Sequence, residues 1–126
     1  MNLGEYFATI QGTGILATSD ADGNVDIAIY ARPYMIDEKT IVFSMLDRLS
    51  FKNVKSNHKA AYMFIEQGEG HVGKRLYLTM TGEEKDPERI KAIRQMHSKT
   101  HGAPEAVRHL VYFTVDKIRP LAGDKT

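Results

Sequence analysis

The stretch Arg75–Glu83, RLYLTMTGE, alternates Leu76, Leu78 and Met80 with Tyr77, Thr79 and Thr81. A period of two restricts the fold more than any other pattern in this chain, because only an extended strand places every second side chain on one face. Five further short runs carry strand signals. Ile15-Leu16-Ala17 is a brief apolar run, and after it Val25, Ile27 and Ile29 alternate with Asp26, Ala28 and Tyr30, the period of a half-buried strand. Ile41-Val42-Phe43 reads as a short buried strand. Ala61, Met63 and Ile65 stand opposite Tyr62 and Phe64, both sets apolar, which predicts a central strand. The last is LVYFTVDKI.

The punctuation between these runs is that of antiparallel pairing. Asp22-Gly23 is a two-residue hairpin signal, so the first two strands should pair across it. Pro33 cannot donate to a ladder and marks an edge, bulge or bend near Arg32. Asp37-Glu38-Lys39 reads as a turn, and Gly68, Gly70 and Gly73 as a flexible connection. Helical spacing occurs at Leu3, Phe7 and Ile10, stopped by Gly12 and Gly14. It returns after Asp86-Pro87, where Ile90, Ile93 and Met96 or His97 form one apolar stripe up to His101-Gly102. Six short strands with three modest helices predict a mainly β fold, an antiparallel six-stranded barrel with peripheral helices, filling one domain over residues 1–126. A chain of this length buries roughly two-thirds of its unfolded surface, enough for a core without staples.

The chemistry centres on Thr40–Asn57, TIVFSMLDRLSFKNVKSN. The strand leaves through Ser44, Met45 and Leu46, and a helix is predicted to open with Ser50 as N-cap. A helix start carries about half a positive charge and favours Asp or Glu nearby, yet Arg48 precedes this one while Lys52 and Lys55 follow, and only Asp47 has the opposite sign. A phosphate there would reverse the argument, since backbone N–H groups, the dipole, an Arg fork and a Lys would face one dianion. A solvated basic helix has the same pattern, and the charges by themselves favour that plainer reading.

Composition narrows the classes. The chain has no cysteine, which rules out a disulfide, a thiolate metal site and a Cys nucleophile, and a reducing, cytoplasmic setting is expected. Seventeen basic against sixteen acidic residues give a net charge of +1, so no nucleic acid and no membrane surface is expected as partner, and any basic site must be local. The N-terminal MNLGEYFATIQGTG lacks a charged n-region and a long apolar run, and a soluble, unprocessed protein is expected.

The succession of a DG hairpin, a strand ending IYARPYMID, the strand TIVFSM, then DRLSFKNVKSNHKAAYMF and GKRLYLTMTGE, resembles the FMN-binding split-barrel family, which includes pyridoxamine 5′-phosphate oxidases and small flavin-binding proteins. The likeness runs roughly from Gly12 to Val115 and is most specific over Asp47–Asn57. It implies FMN as cofactor, a homodimer with a flavin at each subunit interface, and a small-molecule redox partner. Carried over by position, it implies that Arg48 and Ser50 contact the phosphate, with Leu49 offering backbone and Lys52 a second cation. Ile29, Tyr30, Ala31 and Arg32 would border the ring system, and Ser44, Met45 and Leu46 would flank it. Asn53 would make a hydrogen bond at the helix start. A cation beside the ring's pyrimidine edge would favour the reduced form, and Arg32 and Lys74 are the candidates.

The departures shape the activity. Pyridoxamine phosphate oxidases carry an Arg-Lys pair where this chain has Leu49-Ser50, and they end in an Arg-Leu-x-Pro motif where this chain has IRPLAGDKT. Oxidation of vitamin B6 is therefore not expected, and a small FMN-dependent oxidoreductase is. A carrier or sensor that holds flavin without turnover is the alternative, and the deazaflavin F420 or haem are alternative occupants of the groove. Weaker constellations are read as structural: His97 and His101 have the spacing of a metal pair but lack a third ligand, His58 and His71 flank turns, and Ser19, Asp20 and His58 lack a nucleophile-elbow sequence.

Overall fold

The computed structural model describes residues 2–97 and 108–123. In chain order the elements are α1 (Leu3–Thr9), β1 (Gly12–Ser19), β2 (Val25–Ile29), β3 (Tyr34–Met35), β4 (Thr40–Leu46), α2 (Leu49–Ser56), β5 (Lys59–Glu66), β6 (Gly73–Glu83), α3 (Pro87–His97) and β7 (Arg108–Pro120). All seven strands lie in one antiparallel sheet ordered β2-β1-β5-β6-β7-β4-β3. The expected barrel has one strand more than the six read from sequence. Pro33 interrupts the second run, and the two residues after it pair with β4 through Tyr34↔Val42 and Met35↔Ile41 as a separate short strand.

β4 and β5 are three steps apart in the sheet, yet Phe43 and Tyr62 lie with ring centroids 5.0 Å apart, and Phe43 also meets Phe113 and Tyr30. The sheet is therefore curled around these rings. Its interior holds Leu16, Phe43, Met45, Tyr62, Phe64, Leu76, Leu78 and Phe113, all buried. Helix α1 closes one end with Leu3, Tyr6 and Phe7, and α2 touches β1, β2 and β4. A smaller cluster outside the barrel packs Ile90 and Ile93 of α3 on Val42, Leu110 and Tyr112. The expected helix end at His101-Gly102 and the side chains of Met96 and His97 lie outside the described residues.

Two local readings change. The β1–β2 connection is a five-residue loop between Ser19 and Val25, closed by the Asp20 carboxylate, which accepts from the Asp22 and Asn24 backbone N–H groups and the Asn24 amide. Those bonds, led by the Asn24 side chain, hold Asp20 below its ordinary pKa. Within this loop only Gly23, at φ 85°, takes the left-handed conformation. The second change concerns the face of β2. Val25, Ile27 and Ile29 are 82%, 72% and 80% exposed, while Asp26 and Ala28 are paired with the inward Thr18 and Leu16. The strand does alternate, but its apolar side faces out. That side continues through Ile15 and Ala17 of β1 to Met63 and Ala61 of β5.

Candidate functional site

The gap between β2 and β4, with the start of α2 at one side, holds an open cavity of about 370 Å³. Its walls are Asp26, Ala28 and Ile29 to Arg32 from β2 and the segment after it, Phe43, Ser44 and Leu46 from β4, and Arg48, Leu49 and Ser50 at the helix start.

Helix α2 begins two residues earlier than its sequence suggests. Arg48, at φ −134° and ψ −167°, is the N-cap and provides no side-chain cap. The first intrahelical bond is from Lys52 N–H to the Arg48 carbonyl at 3.1 Å, so the N–H groups of Leu49, Ser50 and Phe51 have no partner within the helix. Ser50, expected as the cap, sits inside the first turn. Its side chain is only 5% exposed, lines the cavity, and makes no hydrogen bond among the described residues. A buried hydroxyl without a partner costs about 1–3 kcal/mol, and this one borders the cavity, where a group from outside the chain can reach it. Arg48 has no ion-pair partner among the described residues.

The rest of α2 is fixed. Val54 is fully buried, Phe51 stacks on His109 with centroids 3.9 Å apart, and the Asn53 amide donates to Thr18 Oγ1 at 3.0 Å, both residues 4% exposed. Asn53 thus pins α2 to β1 rather than bonding the helix start. His109 Nδ1 in turn lies 2.7 Å from Glu83 Oε2.

Opposite the helix, the segment after β2 is held from below. Tyr62 is fully buried, and its hydroxyl donates to the carbonyls of Tyr30 and Ala31, each at 3.2 Å. Burial raises the pKa of this phenol, with the Arg32 charge opposing, so it stays a donor. Gly14 makes the arrangement possible, because a Cβ there would come within 1.8 Å of the Tyr62 hydroxyl and 2.5 Å of the Tyr30 carbonyl oxygen. The Tyr30 N–H bonds the Gly14 carbonyl at 2.9 Å, whereas the N–H groups of Ala31 and Arg32 donate to no described group. Arg32 Nη1 donates to the Ile10 carbonyl at 3.0 Å.

Of the residues singled out from sequence, Ile29, Tyr30, Ala31, Arg32, Ser44, Leu46, Arg48, Leu49 and Ser50 all border this one cavity. Met45 is fully buried in the barrel, and only its neighbours Ser44 and Leu46 reach the cavity. Lys52 is exposed and lies outside the lining. Lys74 stands over the Tyr6 ring, 4.8 Å from its centroid, at the α1 end of the barrel. His58 and His71 are exposed and line neither this cavity nor a second one toward α1. His101 lies outside the described residues. Sequence reasoning passed over Asp26, Ala28 and Phe43 as wall residues, and Tyr62 with Gly14 as the support. Their signal was the phase of β2: if Val25, Ile27 and Ile29 face out, Asp26 and Ala28 must face the gap.

No protein-family model matches the chain, and no curated protein sequence matches it. Solved structures do. An FMN-binding protein from Syntrophomonas wolfei subsp. wolfei superposes with a TM-score of 0.82 at 19% identity, over 98% of this chain and 86% of that one. HupZ from Group A Streptococcus gives 0.73 at 21% identity, over 94% and 90%. An F420 reductase gives 0.70 at 15% identity, over 91% and 94%. The chain has the FMN-binding split-barrel fold. The cavity with the uncapped helix start lies between the edge strand β2 and β4. Among the described residues no helix is long and apolar enough to cross a membrane, and no group of three or more His, Asp or Glu is placed to hold a metal ion.

Proposed function

We propose that this split barrel binds FMN noncovalently in the cavity between β2 and β4 and serves as a small oxidoreductase in the cytoplasm. The observation that carries the reading is the buried, unpartnered Ser50 hydroxyl at a helix start that has no side-chain cap, no acidic residue in its first turn and an unpaired Arg48 beside it. A phosphate monoester matches the groups found there: Arg48, Leu49 and Ser50 line that end of the cavity and bring a guanidinium, a hydroxyl and first-turn N–H groups that the helix itself does not use. The remaining walls suit a flat ring with a polar edge. Phe43, Leu46 and Ala28 offer apolar surface, and the free N–H groups of Ala31 and Arg32 offer donors held in place by Tyr62. Bound there, FMN would supply electron or hydride transfer, and the chain would supply binding, orientation and shielding from water.

The outward side of β2 supports a homodimer. Val25, Ile27 and Ile29, all largely exposed, are continued by the half-buried Ile15, Ala17, Ala61 and Met63 into one apolar sheet face, the kind of contiguous patch that marks an interaction surface. Ile29 belongs both to that face and to the cavity wall, so a second copy seated there would also approach the cofactor.

The test is an absorption spectrum of the purified protein followed by titration with FMN. Visible flavin bands, or saturable uptake of one FMN per chain, are expected. A colourless protein that takes up none refutes the assignment, and spectra of F420 or haem would redirect it. Adding NADH or NADPH with an acceptor then separates an enzyme from a carrier that cycles only with chemical reductants.

A further inference from the structure

A second cavity, of about 510 Å³, lies on the other side of the segment after β2, toward α1. Its volume is in the usual range for small-molecule sites. The two cavities share Ile29, Tyr30, Ala31 and Arg32 as a common wall, so whatever occupies one lies beside whatever occupies the other.

The charge of the second cavity is one-sided. Among the described residues Arg32 is the only cation in its lining, and no Asp or Glu lines it. The Arg32 guanidinium is turned to this side: it bonds the Ile10 carbonyl at the end of α1, and α1 contributes Phe7 to this cavity and nothing to the first. That bond uses one of five N–H donors, and Arg32 has no carboxylate within ion-pair distance among the described residues. A half-buried guanidinium so placed is matched by a planar, two-oxygen anion. Around it stand the rings of Phe7 and Tyr34 and the flat face of Pro33, a set that favours an aromatic or otherwise planar body.

We propose that the second cavity is the substrate chamber, taking a small planar carboxylate whose anionic end is held by Arg32 and whose ring lies between Phe7, Pro33 and Tyr34. The identity of its neighbour across the shared wall rests on the flavin reading; the anion site itself does not.

Benzoate is the probe, with benzyl alcohol as its uncharged counterpart, each titrated into flavin-free protein by calorimetry and ligand-observed NMR. Benzoate should bind saturably, at least tenfold more tightly than benzyl alcohol. Arg32→Met should weaken benzoate at least tenfold, and Arg48→Ala, in the other cavity, should change it less than twofold. Thr13→Tyr, at an exposed strand position on the chamber wall, should block benzoate while preserving the fold, which keeps the test decisive if Arg32→Met does not fold. Equal binding of the two probes, absence of saturation, unaltered binding in Thr13→Tyr, or a loss caused by Arg48→Ala and not by Arg32→Met would each overturn the proposal. FMN titration of the same samples keeps the two readings apart: benzoate binding without FMN uptake leaves this chamber standing and removes the flavin.

Discussion

Helices α2 and α3 open in opposite ways. At α3 the chain closes its own N-terminus: Pro87 occupies the first helical position, the Asp86 carboxylate accepts from Glu88 N–H at 3.0 Å, and Glu88 adds a negative charge to the first turn. Behind it the Glu84 carboxylate accepts from the Tyr112 hydroxyl at 2.5 Å and pairs with Arg89 at 2.9 Å. At α2 none of this is present. Arg48 stands at the cap without a side-chain bond, Ser50 is buried with its hydroxyl unused, and the first turn holds no acidic residue. The same chain therefore knows how to finish a helix start and leaves one unfinished, and the unfinished one faces a cavity. Self-sufficiency marks a structural helix; an open, cationic start beside a cavity is what the proposed phosphate site requires.

The contrast can be broken by giving α2 the cap that α3 has. Arg48→Asp removes the phosphate fork and puts an anion in its place, so FMN affinity should fall by roughly a hundredfold or more, measured by quenching of flavin fluorescence. In the same variant the flavin-free protein should gain about 1 kcal/mol in urea unfolding, because a side chain now satisfies a first-turn N–H. Unchanged flavin retention would mean that the helix start is only a solvated basic surface. The reciprocal change, Asp86→Ala, should lower stability by about 1 kcal/mol and leave FMN affinity untouched; a parallel loss of flavin would show that the two helix starts are not independent.

Acid sharpens the comparison more gently. Tyr112, the Asp86 backbone N–H and Arg89 hold the Glu84 carboxyl below its ordinary pKa, the Tyr112 bond contributing most. A depressed carboxyl contributes stability that is complete above its unfolded value, about 4.3, and is lost as pH falls through the lower folded value. Docking of α3 should therefore loosen below about pH 4, while α2, whose first turn holds no acidic residue and whose packing reaches a carboxylate only indirectly, through His109 between Phe51 and Glu83, should loosen less. Amide exchange followed at Ile90 and Ile93 against Asn53 and Val54 checks this, and simultaneous loss at both sites would count against it.

Much of the barrel was legible because it rests on local rules. Leu76 and Leu78 stood out as one face by alternation, and they are in the interior; Tyr62 and Phe64 are there too, although their strand read as apolar on both faces and alternation did not choose between them. The hairpin between β1 and β2 was signalled by Asp22-Gly23, although its five-residue form depends on Asp20, a capping carboxylate that a two-residue turn does not need. The phase of β2 was not legible. Alternation states that one side is apolar, but whether that side meets the core or an outer surface depends on which strands curl around it. Asn53 was misread for a related reason: its partner, Thr18, is 35 residues away and is brought near only by the docking of α2 on β1.

The amino-acid sequence on its own determined the strand runs, the interruption at Pro33 and the gathering of cations around Arg48, because each follows from short-range sterics, periodicity or charge. Tertiary structure alone decided that Ser50 would be buried and unpartnered, that Tyr62 and Gly14 would hold the segment after β2, and that Arg32 would turn toward α1. Those outcomes are set by contacts between residues far apart in the chain, whose geometry exists only once the sheet has curled on itself.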